Sequence, residues 1–218
     1  MNLPSIPGRI AGKIRRSALK IRDQARLLLK ATSTLLVRTN VRRWRKVAME
    51  PTPPWDERNH FIAGLIPAGS SVLDIGSGGQ SLRRHLKSGC KYQPCDLVKS
   101  SPDVILCDFN AAIFPDILEQ YDYVVCSGIL EYIRDPVRFL DAVSSYGNVV
   151  ILSYHPFTQG SSKLPRLAHD WINHMTSEEL NGIFDQVVVK WEVLRSGNGE
   201  CIYSLKSPSA CSESCSKV

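Results

Sequence analysis

Three aspartates in the middle of the chain stand at the ends of short apolar runs, where a carboxylate could meet a ligand. Asp74 precedes the glycine-rich segment 76–79, and glycines let a backbone approach a bound molecule closely. Asp96 comes 22 residues later, where a carboxylate can accept hydrogen bonds from ribose hydroxyls. Asp108 with Phe109 offers one hydrogen bond and one flat apolar contact, which suit an adenine ring. Together they predict a site for an adenine nucleoside.

The glycine segment alone does not decide which ligand binds. Dinucleotide sites share this pattern, and a glycine-rich turn that holds no ligand is also common. No Lys-Ser or Lys-Thr pair comes directly after Gly79, so a phosphate-binding P-loop is not indicated. Three acidic residues at successive strand ends are the more specific signal.

Side chains that could accept or donate a proton follow the later apolar runs. His155 comes directly after the run 149–154, which should place it at the carboxyl edge of a sheet. The segment 159–174 contains Gly, Ser, Pro and two His without clear periodicity, and we interpret it as a lid or substrate loop. The catalytic candidates are His155 first and His174 second, followed by Tyr132, His169 and Asp170.

These side chains need a scaffold that brings several strand ends together. Apolar or β-prone runs predict seven strands, at residues 71–75, 91–95, 104–107, 121–126, 149–154, 187–189 and 201–205. Helices are predicted at 80–87, 136–145 and 176–184, the last with Thr176 as N-cap and Glu179 completing a capping box. Strand and helix alternate through the first five strands, which predicts a parallel sheet between two helical layers.

A turn at 197–199 joins the last two strands, so the last strand should be antiparallel. The predicted fold class is therefore α/β: a three-layer, Rossmann-like, seven-stranded and mostly parallel sheet with an antiparallel last strand, preceded by a basic N-terminal helix. The composition agrees, because 43% hydrophobic and 22% charged residues are ordinary for a globular protein. Disorder, collagen or coiled coil are excluded as descriptions of the whole chain.

Charge divides the chain into parts. Residues 1–50 hold 13 Lys or Arg and 2 acidic residues, which gives a net charge of +11. Residues 51–218 hold 14 Lys or Arg and 19 acidic residues, which gives a net charge of −5. We predict a basic helical arm at 1–50, a domain at 51–206 and a disordered tail at 207–218. Pro51, Pro53 and Pro54 are interpreted as a stiff linker between arm and domain.

The arm should form an amphipathic helix from about residue 9 to residue 46. Its apolar residues recur at spacings of 3, 4 or 7 and form one stripe: Ile10, Ile14, Ile21, Ala25, Leu28 and Leu35. Three interpretations stay open: the helix covers a patch of the core or of a second subunit, lies on anionic lipid, or binds nucleic acid. Nucleic-acid binding is the weakest interpretation, because Trp44 is the only aromatic residue of the arm and no recognition module is visible.

Seven cysteines, an odd number without a C-x-x-C pair, indicate reduced thiols in a cytosolic protein. Cys95, Cys107 and Cys126 should pack as small hydrophobic side chains. Cys211 and Cys215 lie in a Ser-rich tail without a partner histidine, so no metal site is expected. No apolar stretch is typical of a secretory signal or a membrane span. The expected location is the cytoplasm, on the inner face of the membrane if the arm binds lipid.

The run Ser71-Val-Leu-Asp-Ile-Gly-Ser-Gly-Gly79 resembles the first motif of class I S-adenosylmethionine-dependent methyltransferases. Asp96, the pair Asp108-Phe109 and the run 121–132 resemble the later motifs of this family in order and spacing. The resemblance covers residues 59–206. Within the family, residues 108–140 are most similar to the small methyltransferase type 11 and methionine-biosynthesis W-type proteins.

The resemblance implies S-adenosylmethionine as cofactor. The glycine segment with Asp74 would line its methionine end, Asp96 would hold the ribose hydroxyls, and Asp108 with Phe109 would face the adenine. The implied cofactor residues are Asp74, Gly76, Ser77, Gly78, Asp96, Leu97, Asp108, Phe109, Ser127, Gly128 and Ile129. The chain departs from the family pattern where Gln80 replaces a third glycine and where Tyr132, rather than a histidine, follows Glu131.

The implied function is methyl transfer to a small-molecule, saccharide or lipid-linked acceptor, and a general base is needed only if that acceptor is a weak nucleophile. Two alternatives belong to other classes. A non-catalytic methyltransferase-fold protein that assists another biosynthetic enzyme is left open by the W-type resemblance. A nicotinamide-dependent oxidoreductase shares the glycine turn, but Asp108-Phe109 and the antiparallel last strand argue against it.

Overall fold

A computed structural model describes residues 8–37, 39, 41–47 and 53–207 of the 218-residue chain. The helices in this part are α1 (Gly8–Leu36), α2 (Val41–Val47), α3 (Pro53–Leu65), α4 (Ser81–His85), α5 (Pro136–Ser145), α6 (Leu164–Ala168) and α7 (Ser177–Val187). The strands are β1 (Ser71–Ile75), β2 (Lys91–Asp96), β3 (Ile105–Leu106), β4 (Tyr121–Cys126), β5 (Gly147–Tyr154), β6 (Lys190–Gly197) and β7 (Glu200–Lys206).

The described strands form one sheet in the order β3-β2-β1-β4-β5-β7-β6. The first five are parallel, and β7 runs antiparallel between β5 and β6. The predicted mostly parallel α/β sheet with an antiparallel last strand is therefore confirmed. The strand order reverses between β1 and β4, and ligands of open α/β sheets bind beyond the carboxyl ends of the strands at such a point.

Helices cover both faces of the sheet, because successive residues of its central strands point to opposite sides. Leu73 of β1 packs with Phe139 of α5 and Phe184 of α7 on one side. Its neighbour Val72 packs with Ile62 of α3 on the other side. The three layers predicted from the alternation of elements are thus present.

The C-terminal elements correct one prediction and confirm another. The capping box of α7 is present, since Glu179 N donates to Thr176 Oγ1 over 3.2 Å and Thr176 N donates to Glu179 Oε2 over 2.8 Å. The strand predicted at 187–189 is wrong: α7 runs to Val187, and β6 begins at Lys190. Val187 packs against the core as part of the apolar face of α7, which a β-prone valine run conceals in the sequence.

The single helix predicted from residue 9 to residue 46 is two helices. Arg134 of the domain reaches the end of α1, where its Nη2 donates to Thr34 O over 3.3 Å and to Val37 O over 3.0 Å. Carbonyl groups at a helix end lack partners within the helix, so this contact stabilises the end of α1. The predicted linker is also wrong at Pro53 and Pro54, which begin α3, since the first helical turn does not need the N–H that proline lacks. Pro51 lies outside the described residues.

The C-terminal half of α1 packs on the domain through small and polar side chains. Ala31 and Thr34 are buried there, and Thr34 Oγ1 lies 2.8 Å from Leu167 O of α6 and 2.7 Å from Asp170 Oδ1. Asp170 also forms an ion pair with Arg43 of α2, at 2.5 Å. The arm is therefore attached to the segment that the sequence analysis interpreted as a lid.

The predicted apolar stripe does not cover the core. Its described members Ile21, Ala25, Leu28 and Leu35 are exposed, because the face of α1 that carries Ala31 and Thr34 meets the domain instead. The side chains of Ile10 and Ile14 lie outside the described part of the chain. Within that part, no helix is long and apolar enough to cross a membrane.

The predicted tail is corrected at its first residue. Ser207 is buried, and its Oγ donates to Ser144 O. Residues 208–218, with Cys211 and Cys215, lie outside the described residues. Cys95, Cys107 and Cys126 are buried in the sheet, as expected of small hydrophobic side chains.

Candidate functional site

Two adjoining cavities lie at the carboxyl ends of the parallel strands. The smaller has a volume of about 120 Å³ and the larger of about 490 Å³. They share five lining residues: Trp44, Gly76, Gly78, Gly128 and Tyr132. A molecule in the smaller cavity would therefore lie next to a molecule in the larger one.

The smaller cavity collects most of the residues predicted for the nucleoside. Of the eleven predicted cofactor residues, its lining includes Gly76, Gly78, Asp96, Leu97, Asp108, Phe109, Gly128 and Ile129. Ser77 and Ser127 line the larger cavity instead.

Asp74 lines neither cavity. Its Oδ2 accepts a hydrogen bond of 2.6 Å from Tyr92 OH, and burial raises the pKa of this carboxyl to about 7. The structure thus places Asp74 beneath the glycine turn, where it contacts Tyr92.

The turn after β1 brings backbone close to the smaller cavity. Gly76 has φ +78°, its N–H donates to Cys95 O over 2.8 Å, and a Cβ at this position would lie 3.1 Å from Ile129 Cδ1. Gly78 has φ +50°, and the space beside its Cα is open. Gln80, which stands where the family has a third glycine, has φ +56°. This left-handed conformation, usually adopted by glycine, keeps the turn intact.

Asp96 is held by the backbone on both sides of its carboxylate. Its Oδ2 accepts from Gly78 N over 2.8 Å and its Oδ1 from Val98 N over 2.9 Å. Burial raises the pKa of this carboxyl above its ordinary value, and the two backbone hydrogen bonds oppose the shift. Each oxygen keeps acceptor capacity for a further donor, as a vicinal diol would require.

Asp108 and Phe109 also line the smaller cavity. Asp108 Oδ1 accepts from Ala111 N over 3.1 Å and from Thr39 Oγ1 over 3.2 Å. Phe109 packs edge-on against Phe139, with ring centroids 4.8 Å apart. Thr39 belongs to the predicted arm at 1–50, so the arm contributes to this cavity. The sequence predicts an arm separate from the domain and gives no sign of this contribution.

The larger cavity is lined by the glycine turn, by several serines and by long side chains from distant parts of the sequence. Four lining residues come from α3, in which no site residue is predicted from the sequence: Trp55, Asp56, Arg58 and Asn59. Others are Trp44 of α2, Glu131 and Tyr132 after β4, His155 after β5, and Trp171 after α6. Aromatic rings and hydrogen-bonding groups of both charges thus surround one space.

His155 and Glu131 form a pair in this lining. Glu131 Oε1 lies 3.0 Å from His155 Nδ1 and accepts from His155 N over 2.9 Å. Glu131 is 1% exposed, and its other oxygen has no hydrogen-bond partner among the described residues. The His155 ring lies on Trp171, with centroids 4.9 Å apart. When Nδ1 donates to Glu131, Nε2 is left as an acceptor, which is the form of histidine that takes up a proton.

The other catalytic candidates have different surroundings. Tyr132 OH accepts from Trp171 Nε1 over 2.9 Å, and burial raises the pKa of this phenol to about 12, so it stays protonated near neutral pH. His174 lines neither cavity, and its Nδ1 accepts from Arg166 Nε over 3.3 Å. His169 packs beside Trp171, and Asp170 binds the arm. Of the candidates, only His155 and Tyr132 line either of the two adjoining cavities.

Arg58 of α3 lies in the wall of the larger cavity and connects several elements there. Its Nε donates to Ser127 Oγ over 2.7 Å and its Nη1 pairs with Glu200 of β7 at 2.7 Å. Ser127 Oγ in turn lies 2.6 Å from Asn59 Oδ1. Gly128 has φ +69°, and a Cβ there would lie 2.6 Å from Arg58 Nη2, so the guanidinium and the turn after β4 fit only with glycine. No local sequence signal marks Arg58, because its partner Glu200 is 142 residues away.

Comparison with known proteins places these features in a family. A family model described as a methyltransferase domain matches residues 42–187, which contain the glycine turn, the strand-end aspartates and His155. A protein of Rhodopirellula baltica described as bifunctional methionine biosynthesis protein MetXA/MetW is 28% identical over 142 residues. That match covers 57% of this chain and 22% of the relative's length.

Solved structures share the fold. Human N-acetylserotonin methyltransferase in complex with S-adenosylmethionine (SAM) superposes with a TM-score of 0.56 at 12% identity, over 77% of this chain and 55% of that one. The N-terminal domain of EvdMO1, in the presence of SAH and D-fucose, gives a TM-score of 0.50 at 15% identity, over 72% and 84%.

Proposed function

This chain belongs to the family of methyltransferase domains, and on that premise we propose that it transfers a methyl group from S-adenosylmethionine to an acceptor bound in the larger cavity. The adjoining cavities carry this proposal. A small cavity with nucleoside-binding features opens beside a larger one that holds a candidate proton acceptor, and Gly76, Gly78 and Gly128 line both. Methyl transfer needs this arrangement, since donor and acceptor must be in contact.

The residues of the smaller cavity fit the cofactor. Asp96 would accept from the ribose hydroxyls, Asp108 would accept from the adenine amine, and Phe109 would provide an apolar wall. Gly78, with open space beside its Cα, allows the backbone to approach the methionine part. When bound, S-adenosylmethionine supplies a methyl group that is activated by a positively charged sulfur.

The residues of the larger cavity would hold the acceptor and take its proton. Glu131 fixes the His155 ring through Nδ1 and leaves Nε2 to accept a proton from an acceptor hydroxyl. The Glu131 carboxylate, whose Oε1 lies 3.0 Å from Nδ1, would stabilise the imidazolium that forms. A general base of this kind suits a hydroxyl on a small molecule, on a saccharide or on a lipid-linked precursor, whereas a thiolate or free amine would not need one.

The first test is titration calorimetry of the folded chain with S-adenosylmethionine and with S-adenosylhomocysteine. We expect saturable binding of both at one site per chain. Absence of binding to a protein whose circular dichroism shows it to be folded would overturn the proposal. A second step incubates the chain with methyl-labelled cofactor and panels of phenols and hydroxy acids, sugar nucleotides and lipid-linked sugars, and identifies the labelled product.

A second candidate function is assistance to another biosynthetic enzyme without turnover. The Rhodopirellula baltica relative favours it, because that protein's name joins the W-type part to a second activity and this chain matches only 22% of its length. Saturable cofactor binding with no labelled product from any panel would favour this alternative. Labelled product that disappears with His155→Asn would exclude it.

A further inference from the structure

The exposed face of α1 is an apolar strip that nothing in the described chain covers. Five large side chains on it are between 54% and 81% exposed: Ile21, Leu28, Leu29, Leu35 and Leu36. At about 100° per residue they occupy an arc of roughly 120°, over a length of roughly 22 Å. Of the two residues that pack on the domain, Thr34 lies about 160° and Ala31 about 100° from the middle of the strip, so most of the strip faces away from the domain.

Basic side chains flank this strip. On α1, the exposed Lys20 on one side and the exposed Arg22 and Arg26 on the other lie within about 60° of the edges of the strip, whereas Lys30 lies nearly opposite it. Arg42, Arg45 and Lys46 are exposed on α2. Asp23 is the single acidic residue among the described residues of the two helices, and it lies 3.7 Å from Arg22. An apolar strip between cations matches the interface of a bilayer, where acyl chains lie beneath negatively charged headgroups.

We propose that α1 docks this protein on the surface of an anionic membrane, with the apolar strip in the acyl boundary and the flanking cations at the headgroups. Charge complementarity selects this occupant over a second copy of the chain, whose own strip would bring the same cations together. The Thr34 and Arg43 contacts with Asp170 attach α1 and α2 to the segment just before Trp171, a wall of the larger cavity. The docked helix would thereby hold the larger cavity at a fixed position relative to the membrane.

Vesicle co-sedimentation of the full chain tests the proposal. We expect binding to phosphatidylcholine vesicles with about 30% phosphatidylglycerol, little binding to pure phosphatidylcholine, and weaker binding at high salt. Leu28→Glu with Leu35→Glu should lower the partition coefficient at least about tenfold, because two inserted side chains become charged. Leu118→Glu is the matched control, since Leu118 is 90% exposed on a domain loop, and it should bind like the unaltered chain.

Three results would overturn the proposal. The unaltered chain could remain in the supernatant with anionic vesicles, or the double variant could sediment as well as the control. Light scattering could instead reveal a dimer that the double variant abolishes, which would make a second copy the occupant. Cofactor titration of each variant shows whether it is folded and keeps failure of this proposal distinct from failure of the methyltransferase proposal, since the strip lines neither cavity.

Discussion

The two cavities differ in what builds them. The smaller is made largely of strand ends, tight turns and backbone groups: Asp96 is held by two N–H groups, and Gly76 has an N–H that donates to β2. The larger is also bordered by the glycine turn, but the rest of its wall is made largely of long side chains from α2, α3 and three loops. These are held by contacts such as Arg58 with Glu200 and His155 with Glu131. The first depends on the sheet itself, and the second depends on side chains packed at its edge.

This difference suggests why one family can serve many acceptors. A cavity shaped by the backbone of a common sheet can keep one cofactor while its surroundings change. A cavity shaped by loop and helix side chains can be altered by single substitutions that leave the sheet intact. Substitutions in the two cavities should therefore change different properties.

The largest effect is expected from the proton acceptor of the larger cavity. His155→Asn and Glu131→Gln should each lower the single-turnover rate of methyl transfer to an acceptor found by the panels by roughly 10²- to 10⁴-fold. The first removes the proton acceptor, and the second removes the carboxylate that orients it and stabilises its charged form. Cofactor affinity should stay within about twofold, since neither residue lines the smaller cavity. His174→Asn is the matched control and should leave the rate unchanged. An unaltered rate in His155→Asn would exclude this residue as the base.

The next effect is on stability, at the contact that supports the larger cavity. Arg58→Leu should lower the free energy of unfolding by about 3–5 kcal/mol, because Glu200, whose side chain is only 14% exposed, loses its closest cation. Arg83→Leu removes an arginine from an exposed pair with Asp103 and should cost at most about 1 kcal/mol. Urea unfolding of both variants measures the difference. Equal losses of unfolding free energy in the two variants would show that the Arg58 contact stabilises the fold no more than an exposed ion pair does.

A smaller effect, confined to the cofactor, is expected in the smaller cavity. Asp96→Ala should weaken S-adenosylmethionine binding by about 1.5–3 kcal/mol, because a charge-assisted hydrogen bond to the ribose is lost. Asp103→Ala removes a nearby exposed carboxylate and serves as the control in titration calorimetry. Unchanged affinity in Asp96→Ala would remove this residue from the site.

The smallest effect is expected from Trp44, which lines both cavities, so its substitution should affect the binding of both cofactor and acceptor. Its ring packs edge-on against Tyr132, with centroids 4.6 Å apart. Trp44→Ala should weaken cofactor binding and raise the KM of the acceptor, each by about 0.5–1.5 kcal/mol. Arg42→Ala, an exposed change in the same helix, should alter neither. An effect on one ligand alone would assign Trp44 to a single cavity.

The same difference explains what could be predicted from the sequence. Asp96, Asp108 and the glycine turn belong to local motifs, and His155 directly follows a strand, so position along the chain locates them. Arg58 and Trp44 are brought to the site by tertiary contacts that no local pattern encodes. The arm shows most clearly what a local pattern cannot predict. Its charge predicts a part separate from the domain, yet Thr39 Oγ1 of the arm lies 3.2 Å from Asp108 Oδ1 in the smaller cavity. The apolar stripe was recognised, but which face of α1 meets the domain depends on Thr34 and Asp170.

The position of β7 has a consequence for how the protein is made. β7 fills the place between β5 and β6, so β5 remains an open edge while the ribosome synthesises residues 155–199 and then β7 itself. At about 5–20 residues per second, that interval lasts roughly 3–10 s. During it, the strands that carry the nucleoside-binding residues can already pair, while an unpaired edge is available to other nascent chains. Completion of the sheet late in translation makes this edge the point at which aggregation competes with folding.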